Sequence, residues 1–460
     1  MSGFWQVMQV LGPSVAVLVS VPFLAAALCI GQLGRRETAV RGAKLASGAH
    51  LRRLYWYFKS NSGDVLSLAG KPITRLDETK HFKLIGTTGT GKSTAIRELL
   101  AAALQRGDRA VIADPDGGYC ARFFDAWRGD RILNPFEARS AKWEPLLELE
   151  ELADPEHLAG ALIATSADAT AGEWRGYARA FVAAVLERCR GIRGCDTREL
   201  WRLIAIAGAD ELRPLLAGTV AQPFLDPENA RMFGSLRSIA VSAMRPLEFV
   251  QWQSGQPFAV RQWVREGRGV LFIPYSARQI AALRTLIATW MGLAIFEALS
   301  QKEGHDQHLW LVVDELDSLG AIDGLKDALA RLRKFGGRCV LGFQSIAQVS
   351  ATYGAGEAQT IIENCGNTLI LRCSGSENGG TSQYASRLIG DREVIRRQRS
   401  RGRDNPGNLF AGGLRRSLQV SEQRVVEPAV LASQIEQLPD LAGYLKTASS
   451  PVWHPVRIGR

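Results

Sequence analysis

The first feature of the chain is a long apolar segment near its beginning. No charged residue lies between Trp5 and Leu33, and residues 11–33 are long enough to cross a hydrocarbon core of about 30 Å. The pattern predicts one transmembrane helix at 11–33, within a membrane anchor of residues 1–36. A cleaved signal peptide is the competing interpretation, but no Lys or Arg precedes the apolar run, and the run exceeds the apolar part of a typical signal peptide.

A basic segment follows the predicted span. Its first cations are Arg35, Arg36 and Arg41, and residues 37–60 are predicted to form a basic juxtamembrane segment. By the positive-inside rule this flank lies in the cytoplasm and the N-terminus in the periplasm. The aromatic cluster at 54–58 is expected either to rest on the membrane surface or to form part of the main domain.

Further along, short apolar runs followed by polar residues are typical of strands buried on both faces of a parallel sheet. One run ends at Leu84-Ile85 and leads into Gly-Thr-Thr-Gly-Thr-Gly-Lys-Ser-Thr and then a helical pattern. This is the complete phosphate-binding loop (P-loop) pattern, in which backbone N–H groups and a helix N-terminus cradle phosphates. The predicted nucleotide-binding residues are Gly86, Thr87, Thr88, Gly89, Thr90, Gly91, Lys92, Ser93 and Thr94.

The P-loop pattern predicts ATP and Mg²⁺ as cofactors. Lys92 is expected to bridge the β and γ phosphates and so to act in catalysis. Ser93 supplies the hydroxyl that ligates Mg²⁺, and Thr94 is the weaker candidate for that role.

Two later apolar runs end in candidate catalytic side chains. Residues 309–313 lead into Asp314 and Glu315, the Walker B pattern, in which the first carboxylate holds the Mg²⁺ shell and the second polarises the attacking water. Residues 339–343 lead into Gln344, which we predict to contact the γ-phosphate or the water. The alternative for Gln344 is a cap on the following turn.

A basic helical pattern lies between those two runs. Multisubunit ATPases need a cation that a neighbouring subunit delivers to the γ-phosphate, called a finger here. The candidates in this pattern are Arg331, Arg333 and Lys334. Arg372 competes for the same role, and a solvated basic helix face is the alternative explanation of the pattern.

Residues 143–262 follow helical rather than alternating spacing and predict an all-helical insertion. An aromatic stripe there, which includes Trp174 and Phe181, is expected to be core packing rather than a platform for stacking bases. Asp114, in an Asp-Pro-Asp-Gly-Gly turn, is expected either to face the nucleotide or to brace the turn. The Arg- and Gly-rich segment from Arg396 to Arg416 is predicted to be a mobile loop that either touches phosphates or is simply solvated.

Composition and charge narrow the class of protein. The 460 residues are 46% hydrophobic and 22% charged, as in a globular protein of two or three domains. A net charge of +10 favours a polyanionic partner, nucleic acid or an anionic membrane face, although a merely basic surface has the same charge. The Cys and His residues lack the spacing of metal sites, so no metal beyond nucleotide-bound Mg²⁺ is expected.

These motifs together resemble the TraD/TraG-type coupling proteins of conjugative type IV secretion, especially the TrwB-like branch. The resemblance covers nearly the whole of the predicted cytoplasmic part. The positions that carry it are Arg41-Gly42-Ala43, His81 to Thr94, Asp114-Pro115-Asp116-Gly117, Glu173-Trp174 with Tyr177 and Arg179, Leu311 to Leu319, Arg333-Lys334-Phe335-Gly336, Gly342 to Gln348, and Gly390 with Glu393.

The resemblance implies an α/β fold, a RecA-like P-loop nucleotide-binding domain with an all-α insertion domain and an N-terminal transmembrane helix. The expected boundaries are 61–142 and 263–460 for the nucleotide-binding domain and 143–262 for the insertion. It also implies a homohexamer in the bacterial inner membrane that couples ATP hydrolysis to DNA transport. In that family pattern Arg333 ranks above Arg372 as the finger.

The implied partners are DNA, as a single-stranded transfer strand or a double strand, relaxase and relaxosome proteins, type IV secretion channel proteins and the membrane. Three other functions remain open from the residues alone. They are a membrane ATPase that recruits only protein substrates, an FtsK-type DNA motor, and a catalytically silent membrane scaffold. The scaffold is disfavoured because every position expected to act on nucleotide is filled.

Overall fold

A computed structural model describes residues 37–46, 65–164, 169–302, 308–376, 380–404 and 415–459. They form two compact units. The smaller contains the described residues up to Lys44 together with those of 386–431, and the larger contains those of 45–385 and 432–460. The predicted membrane span at 11–33 and the aromatic cluster at 54–58 lie outside the described residues.

The strands are numbered in chain order through the described residues. They are β1 (Glu37–Gly42), β2 (Lys44–Leu45), β3 (Leu66–Leu68), β4 (Lys71–Ile73), β5 (Phe82–Ile85), β6 (Arg109–Pro115), β7 (Arg131–Ile132), β8 (Lys142–Trp143), β9 (Pro257–Phe258), β10 (Val270–Tyr275), β11 (Leu309–Val313), β12 (Gly337–Phe343), β13 (Asn367–Ile370), β14 (Asp391–Asp404), β15 (Arg415–Pro428), β16 (Ala442–Lys446) and β17 (Val452–Arg457).

The helices of the same residues are numbered likewise. They are α1 (Arg75–Glu78), α2 (Lys92–Gln105), α3 (Gly118–Phe123), α4 (Asp154–Leu162), α5 (Ala169–Gly191), α6 (Thr197–Ala205), α7 (Ala209–Leu215), α8 (Ala230–Met244), α9 (Leu247–Val250), α10 (Val260–Glu266), α11 (Ile280–Leu299), α12 (Leu316–Leu319), α13 (Leu325–Arg331), α14 (Ile346–Tyr353), α15 (Ala355–Glu363), α16 (Gly380–Ile389) and α17 (Ala432–Glu436). Short 3₁₀ turns lie at Ala126–Arg128, Pro145–Glu148, Gln222–Leu225, Pro227–Asn229 and Leu332–Phe335.

The larger unit is built on a mainly parallel sheet. Nine consecutive strands of this sheet run in the order β17-β16-β13-β5-β12-β11-β6-β10-β7. Strands β13 to β7 in that order are parallel to one another, whereas β16 is antiparallel to both β13 and β17. Every residue of β5, β11 and β12 is buried, which explains why apolar residues lie on both faces of these strands; Lys83 of β5 and Arg338 of β12 are buried charged exceptions.

The predicted insertion is helical over most of its length. The regular elements formed by the described residues between Pro145 and Val250 are all helices or 3₁₀ turns. The ends differ from the prediction, because Trp143 and the segment Pro257–Phe258 belong to β8 and β9, which pair in parallel. The aromatic stripe of α5 is core packing only in part: Phe181 is buried against Phe233, with ring centroids 5.4 Å apart, whereas Trp174 is half-buried.

The smaller unit is a three-stranded antiparallel sheet in the order β1-β14-β15. The prediction of a mobile loop from Arg396 to Arg416 is wrong for its described residues, since β14 pairs with β15 continuously from Asp391 opposite Pro428 to Asp404 opposite Arg415. An antiparallel ribbon is held by backbone hydrogen bonds, so strand pairing does not require the apolar residues whose scarcity suggested a loop. The predicted nucleotide-binding range 263–460 is also wrong in part, because residues 386–431 belong to the smaller unit.

One helix of the described residues, α11, is long and apolar enough to cross a membrane by length and composition. Most of it is buried in the larger unit, and all-round apolarity is also the property of a central core helix. It lies between β10 and β11, far along the chain from the predicted span.

Candidate functional site

Parallel pairing brings three predicted site segments to one edge of the sheet. The P-loop follows β5, Asp314 and Glu315 follow β11, and Gln344 follows β12. Strand β12 lies between β5 and β11, so the three carboxyl ends are neighbours. Ligands of α/β sheets bind at this edge, because the loops that leave adjacent strands converge there.

The P-loop is fixed from two distant parts of the chain. The Thr87 N–H donates to the Arg372 carbonyl at 2.9 Å, and the Leu441 N–H donates to the Thr90 carbonyl at 3.0 Å. Gly91, directly before α2, has a φ of +114°, and a Cβ there would lie 2.7 Å from Leu441 Cδ2. Any other residue at Gly91 is therefore strained both in its backbone and by contact.

Lys92 is the buried cation of this edge. Its ammonium nitrogen donates to the Gly86 carbonyl at 2.6 Å and to the Thr87 carbonyl at 3.2 Å. Burial lowers the Lys92 pKa, whereas the carboxylates of Asp314, Glu315 and, less strongly, Asp317 oppose that shift. The Lys92 ammonium thus lies close to three acidic side chains. Phosphate oxygens can replace the two loop carbonyls as acceptors of its hydrogen bonds.

The predicted metal ligands Ser93 and Asp314 are in contact. Ser93 Oγ donates to Asp314 Oδ2 at 2.5 Å, and the Tyr119 hydroxyl donates to the same oxygen at 2.8 Å. Asp314 is buried, and its Oδ1 has no hydrogen-bond partner among the described residues. A hydroxyl beside an incompletely satisfied carboxylate suits Mg²⁺, which prefers oxygen ligands and binds proteins through few carboxylates.

Glu315 and Gln344 form a chain of contacts back to the P-loop. Gln344 Nε2 donates to Glu315 Oε1 at 2.7 Å, while the Thr88 hydroxyl donates to Gln344 Oε1 at 3.0 Å. Burial raises the Glu315 pKa, and the neighbouring Asp314 and Asp317 carboxylates raise it further. A raised pKa makes the Glu315 carboxylate a stronger base toward water.

Close approach of β12 and β11 makes this chain possible. A Cβ at Gly342 would lie 1.9 Å from the Asp314 carbonyl oxygen, so only glycine allows the two strands to come together at that point. The Walker B acids and Gln344 therefore sit side by side because of a glycine whose role the local pattern does not reveal.

Asp114 was expected either to face the nucleotide or to brace the turn after β6, and in the structure it braces the turn. Its two carboxylate oxygens accept from the N–H groups of Tyr119 and Cys120 at 3.0 and 2.7 Å, which satisfies the first turn of α3. Burial raises the Asp114 pKa to about 6, although these two hydrogen bonds act in the opposite direction. Asp114 thereby orients the helix that carries Tyr119.

The two candidate fingers lie at opposite ends of the strands, Arg333 at the amino ends and Arg372 at the carboxyl ends. Arg333 is exposed and lies in the 3₁₀ turn that precedes β12, so about 20 Å of strand separates it from Gln344. Arg372 follows β13 at the P-loop edge, and its guanidinium pairs with Asp440 at 2.6 Å. The structure therefore places Arg372, and not Arg333, beside its own P-loop.

Two parts of the site escaped the sequence analysis. Tyr119 directly follows the Asp-Pro-Asp-Gly-Gly turn, but its proximity to Asp314 is visible only in the fold. Leu441, which contacts the P-loop, has a φ of +62° and lies in a segment without any recognised motif.

Comparison with known proteins gives one consistent family. Residues 65–458 match the sequence model of a family described as the type IV secretion-system coupling protein DNA-binding domain. The coupling protein TraD of Escherichia coli K12 is 28% identical over 442 residues, which are 93% of this chain and 60% of TraD. This chain spans roughly three fifths of the length of the curated relatives it matches, two conjugal transfer proteins TraG included.

Solved structures agree with the sequence matches. The plasmid coupling protein TrwB in complex with ADP and Mg²⁺ is 31% identical, with a TM-score of 0.77 over 92% of this chain and 94% of that one. TrwB in complex with the ATP analogue ADPNP is 30% identical, with a TM-score of 0.78 and the same coverage. The fold of the larger unit is thus similar to that of proteins whose structures contain nucleotide.

Proposed function

This chain belongs to the type IV secretion-system coupling proteins, and on that premise we propose that it is an ATP-driven DNA translocase that links relaxase-bound DNA to a secretion channel in conjugation. The observation that carries the proposal is the assembly of Ser93, Asp314, Glu315 and Gln344 beside a complete P-loop in a chain of this family. Structural similarity to nucleotide-bound TrwB supports ATP and Mg²⁺ as the cofactors.

Each site residue receives one role in this proposal. Lys92 binds the β and γ phosphates, while Ser93 and Asp314 hold Mg²⁺, which neutralises charge on the phosphate oxygens when bound. Glu315 accepts a proton from the attacking water, and Gln344 holds Glu315 in place from the side of the P-loop. The P-loop residues from Gly86 to Thr94 form the rest of the nucleotide site.

Arg333 receives a role in a neighbouring subunit. Because it lies at the sheet edge opposite the P-loop, its guanidinium cannot reach the phosphates of its own subunit. A head-to-tail ring joins unlike faces of successive subunits, so it can present this edge to the next P-loop. We take the ring to be a homohexamer, as the family resemblance implies, with Arg372 as the alternative finger.

The remaining partners follow from the same proposal. Residues 1–36 anchor the chain in the bacterial inner membrane by one helix at 11–33, with the N-terminus in the periplasm and the motor in the cytoplasm. The nucleotide-binding domain is formed by the main sheet of the larger unit with its flanking helices, and the helical segment between Pro145 and Val250 faces the relaxosome. Single-stranded or double-stranded DNA, relaxase proteins and channel proteins are the binding partners.

The proposal predicts that DNA stimulates hydrolysis. The full-length chain in detergent should hydrolyse ATP several-fold faster with DNA than without it, because phosphate contacts gather subunits into rings. Raising salt from about 50 to about 200 mM should remove most of this gain, since counterion release drives such contacts. The measurement is steady-state phosphate release with single-stranded DNA, with double-stranded DNA and with heparin as a control polyanion.

Two results would contradict the DNA-motor proposal. One is a rate that DNA leaves unchanged at both salt concentrations, which favours an ATPase that recruits only protein substrates. The other is equal stimulation by heparin, which shows that any polyanion acts in the same way.

The proposed finger predicts complementation between two inactive variants. Arg333→Ala and Lys92→Ala subunits should each be inactive alone, yet their equimolar mixture should regain activity. In a random head-to-tail ring, about a quarter of the interfaces combine an intact Lys92 with an intact Arg333 from the next subunit. The mixture should therefore reach up to about a quarter of the wild-type rate.

Arg331 provides the matched control for this experiment, since it is an exposed arginine two residues away on the end of α13. Arg331→Ala should remain active alone. If mixed rings form, as crosslinking or native mass spectrometry can show, and the mixture stays inactive, Arg333 is not the finger and Arg372 becomes the next residue to test.

A further inference from the structure

We propose that Tyr119 is a positioning residue for the magnesium site, whose hydroxyl holds Asp314 Oδ2 so that Oδ1 is left for the metal shell. This inference rests on the proposed ATPase function. It concerns a residue outside the P-loop and Walker B motifs, on a helix that the sequence motifs do not include.

The contact itself is short and enclosed. The Tyr119 hydroxyl lies 2.8 Å from Asp314 Oδ2, and both residues are buried, with relative exposures of 1% and 2%. A hydroxyl that donates to a buried carboxylate forms a stronger hydrogen bond than one between neutral groups. Tyr119 thus restricts rotation of the carboxylate, whose other oxygen has no hydrogen-bond partner among the described residues.

Tyr119 is held both at its backbone and at its ring. Asp114 accepts from the Tyr119 backbone N–H at 3.0 Å, and so ties the residue to the end of β6. The Arg97 guanidinium of α2 lies 5.4 Å from the centre of the Tyr119 ring. Because α2 also carries Ser93, the two donors to Asp314 Oδ2 are held by elements that contact one another.

Ser93 and Tyr119 cannot have the same role at this carboxylate. Ser93 is the hydroxyl of the P-loop pattern, and its oxygen is needed for the metal when nucleotide binds. Tyr119 then remains the protein donor to Oδ2. Without the Tyr119 hydroxyl, the Asp314 carboxylate would be free to rotate when nucleotide and Mg²⁺ bind.

The test is the substitution Tyr119→Phe in the full-length chain in detergent. It removes one oxygen and keeps the ring that packs under Arg97. We expect the Mg²⁺ concentration for half-maximal ATP hydrolysis to rise about tenfold, as for a lost hydrogen bond to a charged group. Binding of a fluorescent ADP analogue in EDTA should be unchanged, whereas the gain in ADP affinity on adding Mg²⁺ should fall by a similar factor.

The matched control is Tyr275→Phe. Tyr275 is a second buried tyrosine at the same sheet edge, at the end of β10, but its hydroxyl contacts Ser318 Oγ at 3.3 Å. This variant should match the wild type in both Mg²⁺ titrations. Melting temperatures of the variants establish that each is folded.

Three results would overturn the inference. They are an unchanged Mg²⁺ response in Tyr119→Phe, an equal loss of ADP affinity with and without Mg²⁺, and the same effect in Tyr275→Phe. The ADP titration requires no turnover. A wild-type chain that binds Mg-ADP but hydrolyses no ATP therefore contradicts the proposed function while leaving the role of Tyr119 measurable.

Discussion

Lys92→Ala should abolish ATP hydrolysis, with a loss of at least about a thousandfold, and with it DNA transfer. The ammonium donates to two P-loop carbonyls and is the buried cation among the acids of the site. Removing a preorganised donor to developing charge costs about a hundredfold to a thousandfold, and in the proposed role Lys92 also bridges two phosphates. Phosphate release by the purified chain and a mating assay measure the two losses.

Lys83 offers a matched control for Lys92. It is also a buried lysine of the P-loop region, on β5, and its ammonium donates to the carbonyls of Ile362 and Cys365 at 2.9 and 2.8 Å. Lys83→Ala leaves two buried acceptors unsatisfied and should lower the melting temperature. Its folded fraction should keep most of the activity. Wild-type hydrolysis by Lys92→Ala would refute the assignment of this chain as an ATPase.

Glu315→Gln should bind ATP with nearly wild-type affinity and hydrolyse it about a hundred to ten thousand times more slowly, which is the usual contribution of a general base. The substitution keeps the size of the side chain and an oxygen that can accept from Gln344 Nε2. It removes the carboxylate that we propose accepts the proton of water. Equilibrium binding of a fluorescent ATP analogue and single-turnover hydrolysis separate the two effects.

A substitution of the neighbouring acid Asp317 tests whether Glu315 acts as a base or only as a negative charge. It is half-buried, and it is one of the carboxylates that raise the Glu315 pKa. Asp317→Asn removes the same charge nearby and should slow hydrolysis less than about tenfold. A loss of ATP affinity as large as the loss of rate in Glu315→Gln, or an equal rate loss in Asp317→Asn, would assign these carboxylates to binding rather than to proton transfer.

The main sheet and its catalytic edge could be predicted because the necessary signals are local. Strands buried on both faces appear as apolar runs, as β11 and residues 339–343 of β12 show, and the residue after each run must lie at the carboxyl edge. The P-loop adds a chemical requirement for glycine and lysine at fixed spacing. These signals predict Ser93, Asp314, Glu315 and Gln344 as site residues, and the fold brings Ser93 into contact with Asp314 and Gln344 into contact with Glu315.

The smaller unit shows where local signals mislead. Composition predicted a loop from Arg396 to Arg416, because few apolar residues remained to be buried there. Strand β14 forms nonetheless, through pairing with β15 and with β1, which lies more than 340 residues earlier in the chain. Backbone pairing is independent of side-chain polarity, so composition could not detect it.

The class of fold and the nucleotide-binding motifs can be read from short segments of the chain, since both depend on the order of residues within such segments. The residues that support those motifs become visible only in the folded chain. The Tyr119 hydroxyl donates to Asp314, which lies 195 residues later in the chain. Arg372 pairs with Asp440, and Arg333 lies at the edge of the sheet opposite the P-loop. These contacts and positions depend on how α3, β13 and the C-terminal strands pack against the sheet. The two partners of each contact lie far apart in the sequence, so no local pattern can reveal them.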